Sequence, residues 1–115
     1  MRHRKNIRRL SRSRGERLAL VRNLTRSFLI HRHITTTAPR AREVRRMTER
    51  LLTLGKKGDL ASFRAVASEL GSGEMVRVVR DLAVKYRDRS GGYVRTVHLS
   101  PRKGDAARLV HLSLV

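Results

Sequence analysis

The 115-residue chain has no cysteine, no tryptophan and few acidic residues. Without cysteine it can form no disulfide framework, no thiolate metal site and no cysteine nucleophile. Aromatic residues make up 3% of the chain, and Phe28 and Phe63 fall on apolar helical patterns, so no aromatic platform for stacking single strands is expected. No apolar run approaches the ~18 residues of a transmembrane helix, and none follows the basic N-terminus as in a secretory signal.

Positive charge is the dominant property of the sequence. Lys and Arg total 28 against 9 Asp and Glu, a formal net charge of +19, and all but five of the basic residues are Arg. Because like charges on a compact body repel one another, we expect the chain to bind a polyanion. The planar guanidinium makes two-point contacts with phosphate, so the Arg excess favours close contacts with nucleic acid that weaken as salt rises.

Residues 1–14 are the most basic segment, with seven Lys or Arg and no acidic residue. Ile7 and Leu10 are too few apolar residues to pack alone, which is typical of an arm that becomes ordered on a partner. A solubilising tail and an Arg-rich transit peptide are the alternatives. The charge continues through the rest of the chain, and this favours a binding arm.

Two long helices are predicted after the arm. Ser13 and Glu16 fit a capping box that opens a helix to about residue 32. Thr37 as N-cap and Pro39 in the first turn predict a second helix, which Gly55 is expected to end. Apolar residues at helical spacing give the expected buried stripes, which are Leu18, Leu20, Val21, Leu24 and Phe28 in the first helix and Ala41, Val44, Met47 or Thr48, and Leu51 in the second.

Two shorter helices should follow. Asp59 is placed to cap a helix over 60–70, and Glu74 suits the first turn of another. The residues predicted to face inward are Leu60, Phe63, Val66, Ala67 and Leu70, then Met75, Val78, Val79, Leu82 and Tyr86.

Strand patterns occupy the remaining segments. Residues 34–37 form a β-branched run that predicts an edge or connecting strand. Residues 93–99 and 108–115 alternate around turn residues 100–105, which predicts a hairpin that must pack on the helices. We therefore expect an α+β fold, with a basic arm over 1–14 and one globular domain over 15–115, in which four helices pack on a small mixed or antiparallel sheet.

The sequence offers little for catalysis. His98 and His111 are placed to face each other across the hairpin, but no third metal ligand is positioned with them. The acidic residues are scattered among Arg at helical spacing, which favours salt pairing over acid–base chemistry. No phosphate-binding loop is present. We expect neither enzymatic activity nor a cofactor.

Folded RNA is the favoured polyanion. A helix-turn-helix DNA reader would need a tight turn between the first two helices, whereas the connector over 32–38 is long and β-branched. A basic arm joined to a basic body suits RNA recognised through its phosphates and shape. A DNA-binding, nucleoid-type protein is the alternative.

Four groups of residues resemble one family. The opening MRHRK with RRLSR at 8–12, ITTT at 34–37 with PRARE at 39–43, GGYVR at 91–95 and RKGD at 102–105 occur in the order found in the bacterial large-subunit ribosomal protein family numbered seventeen. Ser11, Val94 and Ser113 stand where that family usually has other residues.

The resemblance implies helices packed on a small sheet and binding to 23S ribosomal RNA in the large subunit, towards the side where the nascent chain leaves. It also implies contacts with neighbouring large-subunit proteins, a cytoplasmic location, no membrane, no small-molecule substrate and no cofactor. For Tyr93, packing at the start of a strand is the alternative to stacking on RNA. The residues predicted to contact RNA are Arg2, His3, Arg4, Lys5, Arg8, Arg9, Arg12, Arg14, Arg40, Arg42, Gly91, Gly92, Tyr93, Arg95, Arg102 and Lys103.

Overall fold

Four helices and a three-stranded antiparallel sheet make up the fold of the described part of the chain. The computed structural model describes residues 3–6 and 8–115. The helices are α1 (Arg14–His31), α2 (Ala38–Lys57), α3 (Leu60–Leu70) and α4 (Gly73–Lys85), and the strands are β1 (His33–Thr37), β2 (Val94–His98) and β3 (Leu109–Leu114). The predicted α+β class is confirmed.

The sheet has the order β1-β3-β2, so β1 is an edge strand and β2 and β3 form the expected hairpin. His111 lies opposite Val97, whereas His98 lies opposite Val110. Because neighbouring residues of a strand point to opposite faces, His98 and His111 lie on different sides of the sheet, and the predicted pairing of the two imidazoles is wrong. His111 Nδ1 instead lies 2.9 Å from the Thr35 hydroxyl.

Helix α2 lies at the centre of the core. Its Leu51 and Leu52 pack in a cluster with α3, α4 and the two tyrosines. Its Ala41 and Val44 pack in a second cluster with the inner face of the sheet. The exposed side of α2 is therefore held in a fixed position relative to every other element.

Helix α1 begins as predicted but buries a different stripe. Ser13 accepts a hydrogen bond from the Glu16 amide while the Glu16 carboxylate accepts one from Ser13 N–H, a complete capping box. The expectation that Leu18 faces the core is wrong, because its side chain is 54% exposed. Burial is confined to the second half of α1, at Thr25, Phe28 and Leu29.

Gly55 does not end α2, contrary to the prediction. The helix continues to Lys57, and Gly58 adopts the left-handed conformation that closes it, with φ of 71°. Gly55 is buried where α2 crosses α4. A Cβ built on it would lie 2.9 Å from Val79 Cγ1 and 3.2 Å from Ala83 Cβ. This glycine is needed for close helix approach, a role that a sequence pattern does not separate from helix termination.

Helix α3 has its predicted bounds, and Glu74 lies in the first turn of α4 as expected. The Asp59 carboxylate accepts a hydrogen bond from the Ser62 amide and caps α3. Leu60 is 64% exposed, so its predicted inward orientation is wrong; it is the first helical residue and precedes the part of α3 that packs on the core. Thr37 is the N-cap residue of α2, but its side chain makes no capping hydrogen bond.

Candidate nucleic-acid interface

The N-terminal arm lies beside α2. The Arg46 guanidinium donates a 2.9 Å hydrogen bond to the carbonyl of Asn6. Arg8 and Leu10 are half-buried, while His3, Arg4, Lys5 and Arg9 are exposed. Arg12 is exposed and donates to the Leu10 carbonyl at 2.8 Å. Arg2, also predicted to contact RNA, lies outside the described residues.

A cleft of about 800 Å³ separates the arm from α1, α2 and the end of α3, and we call it the arm groove. Basic side chains dominate its lining, with eight Lys or Arg against two acidic residues. The basic residues are Arg4, Lys5, Arg8, Arg14, Arg17, Arg22, Arg46 and Arg50, and the acidic residues are Glu43 and Glu69.

Four of the eight basic residues of the arm groove were missed by sequence reasoning, namely Arg17, Arg22, Arg46 and Arg50. The spacing of three arginines in α2 contained the information. Residues 42, 46 and 50 are each four apart, so they follow one another along one face of the helix. Residues 14 and 17 are similarly related on α1. The sequence does not show which face of these helices the arm lies against, so the spacing alone did not identify the groove.

The two acidic residues of the arm groove hold part of the basic set in place. Arg50 forms an ion pair with Glu69. Arg22 Nε donates to the Glu69 backbone carbonyl at 2.8 Å, which anchors α1 to the end of α3. Glu43 Oε1 lies 3.8 Å from Arg46 Nη1. Arg22, Arg46 and Arg50 therefore contribute to structure as well as to positive potential.

The hairpin tip presents one neutralised and one unneutralised cation. Arg102 makes a two-point ion pair with Asp105, with nitrogen–oxygen distances of 2.6 and 3.1 Å. The hydrogen bond from Arg102, aided by the Ala107 amide, lowers the pKa of Asp105 to about 2. The neighbouring Lys103 is exposed and forms no ion pair with a described residue. Lys103 is thus better placed than Arg102 to meet a phosphate.

Tyr93 lies in the core, and its ring is not available for stacking. The side chain is 1% exposed and its ring centroid lies 5.2 Å from that of Tyr86. Lys56 Nζ donates to the Tyr93 hydroxyl at 2.9 Å. The stacking role is therefore wrong in this conformation, and the alternative of packing before β2 describes the residue. Sequence alternation does not indicate which aromatic residue enters a core.

The glycines before Tyr93 form a turn held by Arg89. Its Nε donates to the carbonyls of Gly91 and Gly92, each at 3.2 Å. Gly92 has φ of 66°, a conformation that favours glycine. The turn leaves Gly92 exposed and Gly91 half-buried.

The remaining predicted residues lie on two different surfaces. Arg42 is exposed and Arg40 half-buried in the first turns of α2, and Arg42 lines a cleft together with Arg8 of the arm. Arg95 is exposed on the sheet face turned away from the helices, opposite Ser113. The fold thus brings the arm and α2 residues together but leaves Arg95 and the hairpin tip apart from the arm groove.

This arrangement is suited to binding phosphate-rich polymers. Guanidinium groups on an arm and on two rigid helices can contact phosphates on several sides of one nucleic-acid segment. Within the described ranges, no group of three or more His, Asp or Glu is placed to hold a metal ion. None of the helices in the described part of the chain is long and apolar enough to cross a membrane.

Comparisons with known proteins identify related chains. A model of the family described as ribosomal protein L17 matches residues 20–115. Large ribosomal subunit protein bL17 of Dehalococcoides mccartyi is 46% identical over 116 aligned residues, which cover 100% of this chain and 99% of that protein. The proteins of the same name from Thermoanaerobacter sp. and Limosilactobacillus fermentum are 46% and 42% identical, covering 94% and 96% of this chain and 97% and 99% of theirs.

Proposed function

The chain belongs to the ribosomal protein L17 family, and we propose that it is a structural component of the large ribosomal subunit that binds folded ribosomal RNA. Its relatives are named as large ribosomal subunit proteins. In this role the protein neutralises phosphates where RNA segments approach one another.

The arm groove is the observation that supports this proposal most directly. Eight basic side chains from the arm, α1 and α2 line this cleft, and only two acidic residues line it with them. Basic side chains that neutralise phosphates in this groove release condensed counterions, which supplies a large share of nucleic-acid affinity. The absence of an exposed aromatic platform in the described residues favours recognition by charge and shape over base stacking.

The finer assignment rests on the family resemblance. We propose 23S rRNA as the ligand, the nascent-chain exit side as the location and neighbouring large-subunit proteins as further contacts, in the cytoplasmic ribosome. We further propose that residues 1–14 act as an RNA-binding arm and residues 15–115 as one folded domain. Crosslinking at Lys5 in whole ribosomes would test the RNA assignment: we expect crosslinks to 23S rRNA, and crosslinks confined to 16S rRNA would contradict it.

A charge-matched pair of variants tests the role of the arm groove. One variant replaces three exposed arm cations with Gln, and the other replaces three exposed Arg on α3, α4 and the segment after α4. Both lose three charges, so a non-specific effect of net charge is the same in each. We expect the first to bind 23S rRNA more weakly and with a smaller salt dependence than the second. The two sets are Arg4, Lys5 and Arg14, which line the arm groove, and Arg64, Arg77 and Arg87, which do not.

Competition with duplex DNA separates the proposal from the nucleoid-protein alternative. The unmodified protein should retain 23S rRNA in the presence of an equal mass of duplex DNA. Preference for the duplex, with protection of defined half-sites, would show that the DNA-binding alternative is correct. Equal binding by the two charge-matched variants would instead remove the arm groove from the mechanism.

A further inference from the structure

A second basic cleft opens where three distant segments meet. It has a volume of about 580 Å³ and lies between the arm, the β1–α2 junction and the segment leading into β3. Three arginines line it, Arg8, Arg42 and Arg108, and we call it the arginine cleft. Its other walls are small or uncharged, formed by Thr37, Ala38, Pro39 and Ala107.

Backbone hydrogen bonds fix two of the three segments relative to each other. The Ala38 amide at the start of α2 donates to the Arg108 carbonyl at 3.0 Å. The register between β1 and β3 continues this contact, with Thr37 opposite Leu109. Arg42 lies one turn further along α2. The positions of Arg42 and Arg108 are therefore set by rigid elements, and the half-buried Arg8 of the arm completes the cleft.

The charge of this cleft lacks an internal partner. No acidic residue lines it, and none of its three arginines forms an ion pair among residues 3–6 and 8–115. By contrast, the acidic residues of the arm groove pair with Arg46 and Arg50. Three guanidinium groups brought together repel one another, and a bound anion would relieve that repulsion.

The guanidinium groups, and not the helix terminus, define the ligand. The Ala38 amide is already hydrogen-bonded and Pro39 has no N–H, so the start of α2 has fewer donors than usual for an anion. Arginines present paired N–H groups that match the oxygens of a phosphate. The cleft lies within the size range of protein ligand sites, ~300–1,000 Å³.

We propose that Arg8, Arg42 and Arg108 together bind one phosphate group, and that this contact joins the arm to the folded domain when RNA is bound. The inference rests on the proposed function, since it names a phosphodiester of the bound RNA as the occupant. It adds Arg108, which the sequence did not indicate, to the RNA-binding residues. A free phosphate or nucleotide would satisfy the same chemistry, and the test distinguishes the two sources.

Arg108→Gln is the principal variant and Arg64→Gln its matched control. Both residues are exposed and both changes remove one positive charge, but Arg64 lies on α3 outside the cleft. We expect Arg108→Gln to weaken binding to 23S rRNA by about 10-fold and to reduce the salt slope by about 1, the loss of one phosphate contact. Arg64→Gln should change either quantity much less.

A second variant and a direct probe guard against a folding artefact. Arg42→Gln places a good helix former on the exposed side of α2, so it should fold while weakening RNA binding to a similar extent. Inorganic phosphate titrated into the full-length protein should shift the side-chain NMR signals of Arg108 and Arg42 before that of Arg64. A nucleoside diphosphate binding far more tightly than both RNA and phosphate would identify a free nucleotide as occupant and overturn the RNA assignment.

The outcomes separate this inference from the proposed function. Equal weakening of RNA binding by Arg108→Gln and Arg64→Gln would overturn the cleft while leaving ribosomal RNA binding intact. Failure of the unmodified protein to prefer rRNA over duplex DNA would overturn the proposed function. In that second case, a selective shift of the Arg108 signal by phosphate would still support a phosphate site.

Discussion

Replacing Gly55 with Ala should destabilise the protein, although alanine is the better helix former. The new Cβ would lie 2.9 Å from Val79 Cγ1, 3.2 Å from Ala83 Cβ and 3.4 Å from the Val79 carbonyl oxygen. Val79 is fully buried and β-branched, so its side chain has little freedom to move within α4. The crossing of α2 over α4 must therefore open slightly to accept the methyl group.

Two opposing effects set the magnitude. Alanine in a helix interior gains about 1 kcal/mol over glycine. Overpacking a filled core costs about 1–3 kcal/mol. We expect a net loss of about 1 kcal/mol, which corresponds to a fall in Tm of about 4 °C for a domain of this size.

Urea unfolding of Gly55→Ala and Gly73→Ala would measure the effect against a control. Gly73 is in the first turn of α4, and a Cβ there meets nothing within 4 Å, so Gly73→Ala should be neutral or mildly stabilising. Val79→Ala should cost less in the Gly55→Ala background than alone, because it removes the clashing methyl group. A Gly55→Ala protein as stable as Gly73→Ala, with no coupling to Val79, would refute the reasoning.

Three further predictions concern a cap, an ion pair and a buried phenol. Ser13→Ala should lower the free energy of unfolding by about 1 kcal/mol in urea titrations, since α1 loses its N-cap acceptor; an unchanged midpoint would contradict this. The pKa of the Asp105 carboxyl should be near 2 by NMR and should move towards 3.8 in Arg102→Gln, because the hydrogen bond from Arg102 is the largest cause of its depression; an unmoved titration would refute this. Since the folded-state pKa is depressed, the ion pair stabilises the fold above about pH 3.8, and this stabilisation is lost as the pH falls towards 2. Burial raises the pKa of Tyr86 above its ordinary value of 10, so the neutral phenol stabilises the fold below pH 10 and this stabilisation is lost as the pH rises further. The free energy of unfolding should therefore fall less steeply with alkaline pH in Tyr86→Phe, and an identical slope in the two proteins would count against this.

Features of the fold that depend on residues close together in the sequence were predictable, and features that depend on distant residues were not. The capping box at Ser13 and the cap at Asp59 depend on residues three apart, and both were found from sequence. Gly55 was misassigned because its role comes from α4, more than twenty residues away. Leu18 was misassigned because only tertiary contact decides which part of an amphipathic helix is covered.

The candidate site was predictable in part, and the same distinction between local and distant causes applies to it. The arm was evident from its charge, and the family resemblance indicated Arg40 and Arg42 of α2. Arg46 and Arg50 were missed, because the sequence does not show which face of α2 the arm covers. Arg108 was not evident, because it reaches Arg8 and Arg42 only through the pairing of β1 with β3. Tyr93 was assigned to either of two roles by its position, and its burial beside Tyr86 excludes the stacking role.

The salt resistance of the protein on purified large ribosomal subunits tests the central claim most directly. Full-length protein and a variant lacking residues 2–12 would be assembled into large subunits, washed at rising salt and followed by co-sedimentation. We expect the full-length protein to stay bound through a high-salt wash and the variant, which loses six Lys or Arg, to be released at clearly lower salt. Identical incorporation and release of the two proteins would contradict the account, as would failure of the full-length protein to sediment with the subunit.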